Sequence, residues 1–503
     1  MLAPSSHGRR LRGVRAARVL VLTALIAGCA VGPDYKRPKA PDVTHYTHAA
    51  DPASTVTAHG TAQQFTSGAS VAADWWRLFG SERLDLVVGA ALAANPGLEA
   101  AQASLRQSED NLRSGYGIFY PQAAADAAGT RQRYAPVKLG QSGPPSFFNL
   151  FTLSASVSYA LDIFGGERRM IEGLHAQVDL QRATEQATYL TLIANVVNTV
   201  VARAAYRAEV EATNQLIELQ RQQMKLAEVQ VSAGTAPYSN VLSLESQLAS
   251  TEATVPQLEQ HLSQSDDLLA TLVGHVPADW TSPDIGLAEL VLPAELPVSL
   301  PSELVRQRPD VLIAEATAHG ASANVGVATA ALLPSVTLSG GYSANSTTTG
   351  QLMAASGRSW DVAAGLTQPL LEGGTLWFHR KAAFDQYRQA TALYRQVVLG
   401  AFAQVADTLR ALEHDAAELR AQDEALTTAQ EALHLVQANY EAGLATYLDV
   451  LSADAQYHQA VISDLQTVAV RYQDTVALYL ALGGGWWTRP EGSTPAADPA
   501  GGQ

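Results

Sequence analysis

Two periodicities divide this chain. In residues 152–162, Leu153, Ala155, Val157, Tyr159 and Leu161 alternate with Thr152, Ser154, Ser156, Ser158 and Asp162, with Ala160 between. In 335–345, Val336, Leu338, Gly340, Tyr342 and Ala344 alternate with Ser335, Thr337, Ser339, Gly341, Ser343 and Asn345. In 359–368, Trp360, Val362, Ala364 and Leu366 share one face, and a fourth, Ala-rich stretch, 121–134, alternates weakly. Successive strand residues point to opposite faces, so each stretch predicts a strand with one apolar and one small, polar face. Runs of about ten such residues suit a transmembrane strand between lipid and a wet lumen. A soluble antiparallel sheet with one wet face alternates in the same way.

The second period is helical. No Pro occurs between Pro145 and Pro237 or between Pro369 and Pro490, so long uninterrupted helices are permitted. A helix from Gly374 to Ala442 would run ~100 Å at 1.5 Å per residue. Val398, Val405, Leu412, Leu419, Leu426, Leu433 and Tyr440 recur every seven residues. Leu451, Ala455, His458, Ile462, Leu465, Ala469, Tyr472, Val476 and Tyr479 follow at alternating spacings of 4 and 3, as do Leu244, Leu248, Thr251, Val255, Leu258, Leu262, Ser265, Leu269 and Leu272. These are coiled-coil seams. Their many small residues predict helices packed side by side in sheets. Pro256 falls inside the last seam and predicts a kink. His458, the polar member, reads as a seam histidine satisfied by a neighbour.

The same landmarks occur twice, in the same order. Asn95-Pro96, Pro121, Gly165-Gly166, Ala233 to Leu242 and Leu272-Val273-Gly274 return as Arg308-Pro309, Pro334, Gly373-Gly374, Ala442 to Leu451 and Ala481-Leu482-Gly483, at offsets of 208 to 213 positions. The chain is therefore read as an internal two-fold repeat. The expected segments are a signal peptide (1–28), a linker (29–73), a first repeat (74–275), a Pro-rich linker (276–300), a second repeat (301–484) and a low-complexity tail (485–503). Under this offset the two short-helix seams fall two residues out of phase.

Residues 1–28 carry Arg9, Arg10, Arg12, Arg15 and Arg18, no acid, and an apolar run from Val19 to Ala27. That is the pattern of a secretory signal, and the run is too short for a spanning helix. Leu25-Ile26-Ala27-Gly28-Cys29 resembles a bacterial lipobox, with Cys29 the lipidated residue after cleavage, and Ala30 rather than Asp favours the outer membrane. Among 503 residues Cys29 is the only cysteine, which excludes an internal disulfide framework and a Cys-rich zinc site. A net charge of −15 disfavours nucleic acid as a partner.

Four strands are too few for a membrane barrel, which starts at about eight, and an open edge in lipid is not tolerated. The barrel must be shared between subunits. A dimer would supply 8 strands and a trimer 12, and the short hydroxyl side chains of the polar face favour the larger, water-filled ring.

Cys29-Ala30-Val31-Gly32-Pro33-Asp34-Tyr35-Lys36-Arg37-Pro38 resembles the mature start of the TolC-like outer-membrane factors of the NodT lipoprotein type. Trp75-Trp76 with Phe79, then Asn95-Pro96, resemble that family's opening. Arg308-Pro309-Asp310-Val311, Ala314-Glu315 and Leu333-Pro334 resemble the start of its second repeat. The resemblance extends from Cys29 to about Gly484. It implies an α+β membrane protein: a long coiled-coil α-barrel in the periplasm plus four transmembrane β-strands per chain, in a homotrimer sharing a 12-stranded barrel. The implied function is the outer-membrane exit duct of a tripartite efflux system, lipid-anchored, with a periplasmic adaptor and an inner-membrane RND-type transporter as partners and outer-membrane lipid around the barrel. It places the adaptor-docking hairpin tips at Gly234, Thr235, Gly443 and Leu444, and the strand-to-helix turns at Gly165, Gly166, Gly373 and Gly374. The periplasmic mouth falls to Asp449, with Asp454 in place of the family's frequent second acid, since Ser452 stands three residues on; the Arg latch of some members is Ala445 here.

No enzyme site emerges. The chain has no Gly-Lys phosphate loop, no His-Glu-x-x-His and no Gly-x-Ser-x-Gly, and no cofactor is expected. His45 and His48 have metal-ligand spacing but lie in a Pro/Thr/Ala-rich leader. Two alternatives stay open: the exit duct of a type I protein-secretion system, and a lipid-anchored coiled-coil scaffold, which explains the heptads but not the strands.

Overall fold

The computed structural model describes residues 30–48, 50–140 and 142–488; the signal segment, Cys29 and most of the 485–503 tail lie outside them. In chain order the elements are β1 (Gln64–Ser67), α1 (Glu82–Ala94), α2 (Pro96–Gly115), β2 (Gln122–Tyr134), β3 (Ser146–Leu161), α3 (Gly166–Ser232), α4 (Tyr238–Glu252), α5 (Val255–Leu272), β4 (Glu295–Val298), α6 (Pro301–Gln307), α7 (Pro309–Ala330), β5 (Ser335–Ser346), β6 (Arg358–Thr367), α8 (Thr375–Glu441) and α9 (Tyr447–Ala481). Each half runs through two helices, two strands, a 67-residue helix and a returning helical stretch. The return is one helix of 35 residues in the second half and two, of 15 and 18, in the first. Pro256 sits in the first turn of α5. It has no N–H for the Glu252 carbonyl and its ring crowds that oxygen, so the helix is interrupted at Ala253–Thr254.

The chain forms two compact units, each drawing on both repeats. One comprises the segment up to Arg37 with 105–180 and 314–394. It holds an antiparallel four-stranded sheet in the order β2-β3-β5-β6. β3 begins six residues ahead of its alternating stretch, because Ser146–Phe151 pairs with Gly129–Tyr134. The register aligns the apolar positions into rows across the strands: Ala125, Ala155, Tyr342 and Trp360; Ala123, Val157, Gly340 and Val362; Leu161, Val336 and Leu366. The intervening rows, such as Asp126, Ser154, Ser343 and Ser359, are polar.

The other unit comprises 38–104, 181–313 and the chain from 395 onward. Trp75 stacks on Tyr479 at 5.0 Å and touches Phe79, which meets Tyr472. The two segments read from sequence as linkers are structured here: β1 and β4 pair in parallel. Both repeats close by one device. Asn95 caps α2, its Oδ1 accepting from Gly97 and Leu98 N–H, while its Nδ2 donates to the Leu272 carbonyl at 2.9 Å. Arg308 donates to the equivalent Ala481 carbonyl at 2.7 Å and pairs with Asp310 through two bonds. Gly274 and Gly483, at φ 83° and 89°, then turn the chain against the Ala94 and Gln307 carbonyls. The duplicated Asn-Pro/Arg-Pro and Val-Gly/Leu-Gly pairs are thus two halves of one helix-end closure.

The phase difference between the two short-helix seams also has a structural cause. α9 buries two stripes. Leu451, Ala469, Tyr472, Val476 and Tyr479 form the apolar seam read from sequence. Asp464, Thr467, Arg471 and Leu478 form a second stripe in phase with the first repeat, with Thr475 buried beside it, and its polar side chains conceal it from an apolar pattern search. Arg471 is 1% exposed and donates to Gln63, Thr55 and the Thr61 carbonyl. His59 meets Asp464 at 2.9 Å. It is the one non-glycine residue at positive φ among the described residues.

Candidate functional site

Apolar side chains of the sheet, Val157, Leu338, Tyr342, Trp360, Val362 and Leu366 among them, are exposed. β6 is exposed along its whole length, with Val362 79% accessible and Trp360 76%. β2 and β6 are both free edges, each a row of unpaired backbone donors and acceptors. Among the described residues no helix is long and apolar enough to cross a membrane.

Gly165 and Gly166 stand at the junction of β3 and α3, and Gly373 and Gly374 at that of β6 and α8. Gly165, Gly373 and Gly374 have φ of 80°, 59° and 87°, the left-handed region that glycine enters without strain. Gly166 opens α3, whose first amides are capped by Asp162: its carboxylate accepts from the Glu167 and Arg168 N–H groups. The segment from Ala30 to Arg37 is strapped to this corner. Val31 N–H donates to the Phe164 carbonyl, Arg169 bonds Val31 O and Asp34, Tyr35 stacks on His319 at 4.5 Å, and Arg37 pairs with Glu315. A Cβ on Gly165 would lie 2.6 Å from the Ala30 Cα. The chain just after Cys29 is therefore packed on the turn that ends β3.

The tips are paired Schellman closures. Gly234 N–H donates to Val231 O and Thr235 N–H to Gln230 O; Gly443 N–H donates to Tyr440 O and Leu444 N–H to Asn439 O. Leu444 is 81% exposed. The α8 seam is buried from Val398 to Leu419 but opens toward the tip, where Tyr440 is exposed.

The two tip acids differ. Asp449 is exposed and closes a capping box: its carboxylate accepts from the Thr446 amide at 2.8 Å and hydroxyl at 2.6 Å, and its own N–H donates to the Thr446 hydroxyl. Those bonds hold its pKa below the usual carboxylate range. Asp454 is half-buried and faces His458 at 3.6 Å; burial pushes its pKa up and His458 opposes the shift. The two acids do not form one cluster, and His458 has Asp454 as a neighbour at 3.6 Å while its Nδ1 makes no hydrogen bond. His45 bonds Thr44, and no group of three or more His, Cys, Asp or Glu is placed to hold a metal among the described residues.

One charged cluster is absent from the sequence reading. On α8 and α9, Asp415 lies against Asp474 beside Arg471, and the two carboxylates can meet only through a shared proton. Burial and Asp474 push Asp415 up to about 7. A raised carboxylate stabilises the fold while protonated, and that contribution is lost as pH rises through its folded pKa. The denaturant midpoint should therefore fall between pH 5 and 8, and Asp474→Asn should flatten the slope. An unchanged slope in that variant would show that the two acids do not share a proton.

Against this geometry the comparisons with known proteins are unambiguous. The chain belongs to the outer membrane efflux protein family, whose sequence profile matches residues 87–275 and 300–484. It is 30% identical over 435 residues to the pyoverdine export outer membrane protein OpmQ of Pseudomonas aeruginosa, covering 85% of this chain and 90% of that one. It is 26% identical to SilC of Salmonella typhimurium, a probable outer membrane lipoprotein, covering 92% and 97%. The outer-membrane channel OprN superposes with a TM-score of 0.80 at 26% identity, covering 91% of this chain and all of that one. The chain is an outer-membrane exit duct for efflux.

Proposed function

We propose that three copies close a 12-stranded barrel through their β2 and β6 edges, and that the duct serves a tripartite efflux system. The observation that carries this reading is the sheet: four strands, one continuous apolar face, one polar face and two free edges. An open edge in lipid leaves backbone groups unpaired at several kcal/mol each, about what other copies of the same sheet would recover by pairing them. The polar face of serines, threonines and glycines then lines a wet lumen. Crosslinking between cysteines placed on β2 and β6 tests the closure: trimeric ladders are expected, and dimers alone would overturn it.

The hairpin tips at Gly234, Thr235, Gly443 and Leu444 are the docking points of a periplasmic adaptor, and an inner-membrane RND-type transporter delivers the cargo. The exposed Leu444 and the opening of the α8 seam toward the tip support a partner there. Cys29 is the lipidation site. The strap from Ala30 to Arg37 would start its acyl chains beside the strand-to-helix corner, at the membrane surface. Cys29→Ala should therefore weaken anchoring only modestly, because the barrel buries far more apolar area than acyl chains at ~0.8 kcal/mol per CH₂.

Asp449 is the acid of the mouth. In a trimer it recurs three times around the axis, where a ring of carboxylates favours cations over anions. Asp449→Ala should reduce cation selectivity in planar bilayers, whereas Asp454→Ala, whose carboxyl faces His458, should not. The same carboxylate caps α9, and its contribution is present above the unfolded carboxylate pKa and lost as pH falls through the lower folded value. Acid should loosen the tip before the rest of the helix, readable as amide exchange at Thr446–Val450. Unchanged ion selectivity in Asp449→Ala would turn that face away from the pore.

A further inference from the structure

The interruption at Pro256 separates α4 from α5, where the second repeat has the single helix α9. Beside the break, between α3, the α4–α5 junction and α9, lies an open cavity of about 630 Å³. Its floor holds Glu209, a carboxylate on a residue only 4% exposed. Its rim holds Gln257, Gln459, Gln466 and the pair Tyr206 and His261, whose rings stack at 5.2 Å. Gln466 Nε2 donates to one Glu209 oxygen at 2.9 Å. No lysine or arginine lines the cavity, and no ion pair forms on Glu209 among the described residues. Among the described residues of this unit the other buried carboxylate, Asp464, has the His59 imidazole directly against it at 2.9 Å.

An anion buried with one neutral hydrogen bond is costly, and a paired one is far less so. Desolvation accordingly raises the Glu209 pKa, opposed by Gln466 and His261. The cavity therefore has one unmet electrostatic demand, for a positive charge. Its other features fit the same guest. The glutamine amides accept N–H donors, and the Tyr206 ring offers a π face to a cation.

We propose that this cavity is a binding site for a guanidinium or ammonium group, held by Glu209 and flanked by Tyr206 and the rim glutamines. The site joins the two repeats, Glu209 and His261 coming from the first and Gln466 from the second. An occupant would cross-brace α3, α5 and α9 at the level of the break. The charge could come from a free small amine or from a lysine or arginine of a second copy of this chain. The proposal does not depend on the closure of the barrel.

The test uses the full chain purified in detergent, with benzamidinium as the probe and neutral benzamide, its near-isostere, as the control. A hydrogen-bonded charge pair of this kind corresponds to about tenfold or more in affinity. If the guest is a free cation, benzamidinium should bind saturably by calorimetry, benzamide about tenfold more weakly, and Glu209→Gln should abolish the preference with the oligomer intact. If the guest is a side chain of a second copy, benzamidinium should not bind. Glu209→Gln should then lower the oligomer's thermal stability and Glu209→Asp should partly restore it. Gln466→Ala, which leaves the carboxylate in place, should reduce either effect without removing it, and provides the reading if Glu209→Gln fails to assemble. No charge preference in binding, together with unchanged oligomer stability in Glu209→Gln and Gln466→Ala, would overturn the proposal.

Discussion

Placing arginine at both Trp360 and Val362 should abolish integration into the outer membrane. These side chains stand in the two most exposed apolar rows of the sheet, opposite Tyr342 and Gly340. On a lipid-facing strand an arginine near the midplane costs about 2–4 kcal/mol, and a shared barrel repeats that cost in every subunit. Ala363→Arg, one residue beyond Val362 in sequence but on the opposite face beside Ser339, should be tolerated and should change conductance instead. Membrane fractionation and the oligomer band on gels read the first effect, and planar bilayers the second. Equal tolerance of both variants would mean that the apolar rows do not face lipid and that the sheet is a soluble one.

Gly274→Ala should lose stability by about 2–5 kcal/mol. An L-residue in the left-handed region costs roughly 1–2 kcal/mol, and forcing packed backbone apart about 1–3 more. At Gly274 both apply: φ is 83°, and an added Cβ would collide with the Ala94 carbonyl. Gly483→Ala should lose less, since its Cβ would stand 3.0 Å from the Gln307 carbonyl, and Gly234→Ala least, since at φ 73° nothing lies within 4 Å. Denaturant midpoints of the three variants test the order. Equal losses would mean that backbone strain alone matters and that the repeat closure contributes no packing constraint.

The four strands of the large sheet and the long helices were legible because their signals are local. Strand alternation depends on neighbours two residues apart, and the extent of α3 and α8 on the absence of proline, so both were readable without partners. The duplication was readable because Gly234 and Gly443 must each adopt a conformation that few other residues tolerate. β2 was weakly marked, because alanine is compatible with either face and its pairing with β3 makes it a strand.

What depends on distant residues was hidden. The second stripe of α9 is polar and is buried only because Gln63, Thr55 and His59, some four hundred positions earlier in the chain, return to bond it. Asn95 and Arg308 stood out as repeat landmarks, but neither sequence position indicates that it donates to a carbonyl at the end of a helix more than 170 residues away. The charge of Glu209 is likewise ordinary in the sequence of α3. The break at Pro256 leaves the cavity beside it and the surrounding helices bury it, so packing alone decides that this carboxylate is short of a partner. Sequence determined which segments form strands, helices and turns, since those choices are made by backbone sterics and period. Tertiary structure decided which polar groups are removed from water, since burial is a property of what packs on a residue and not of the residue itself.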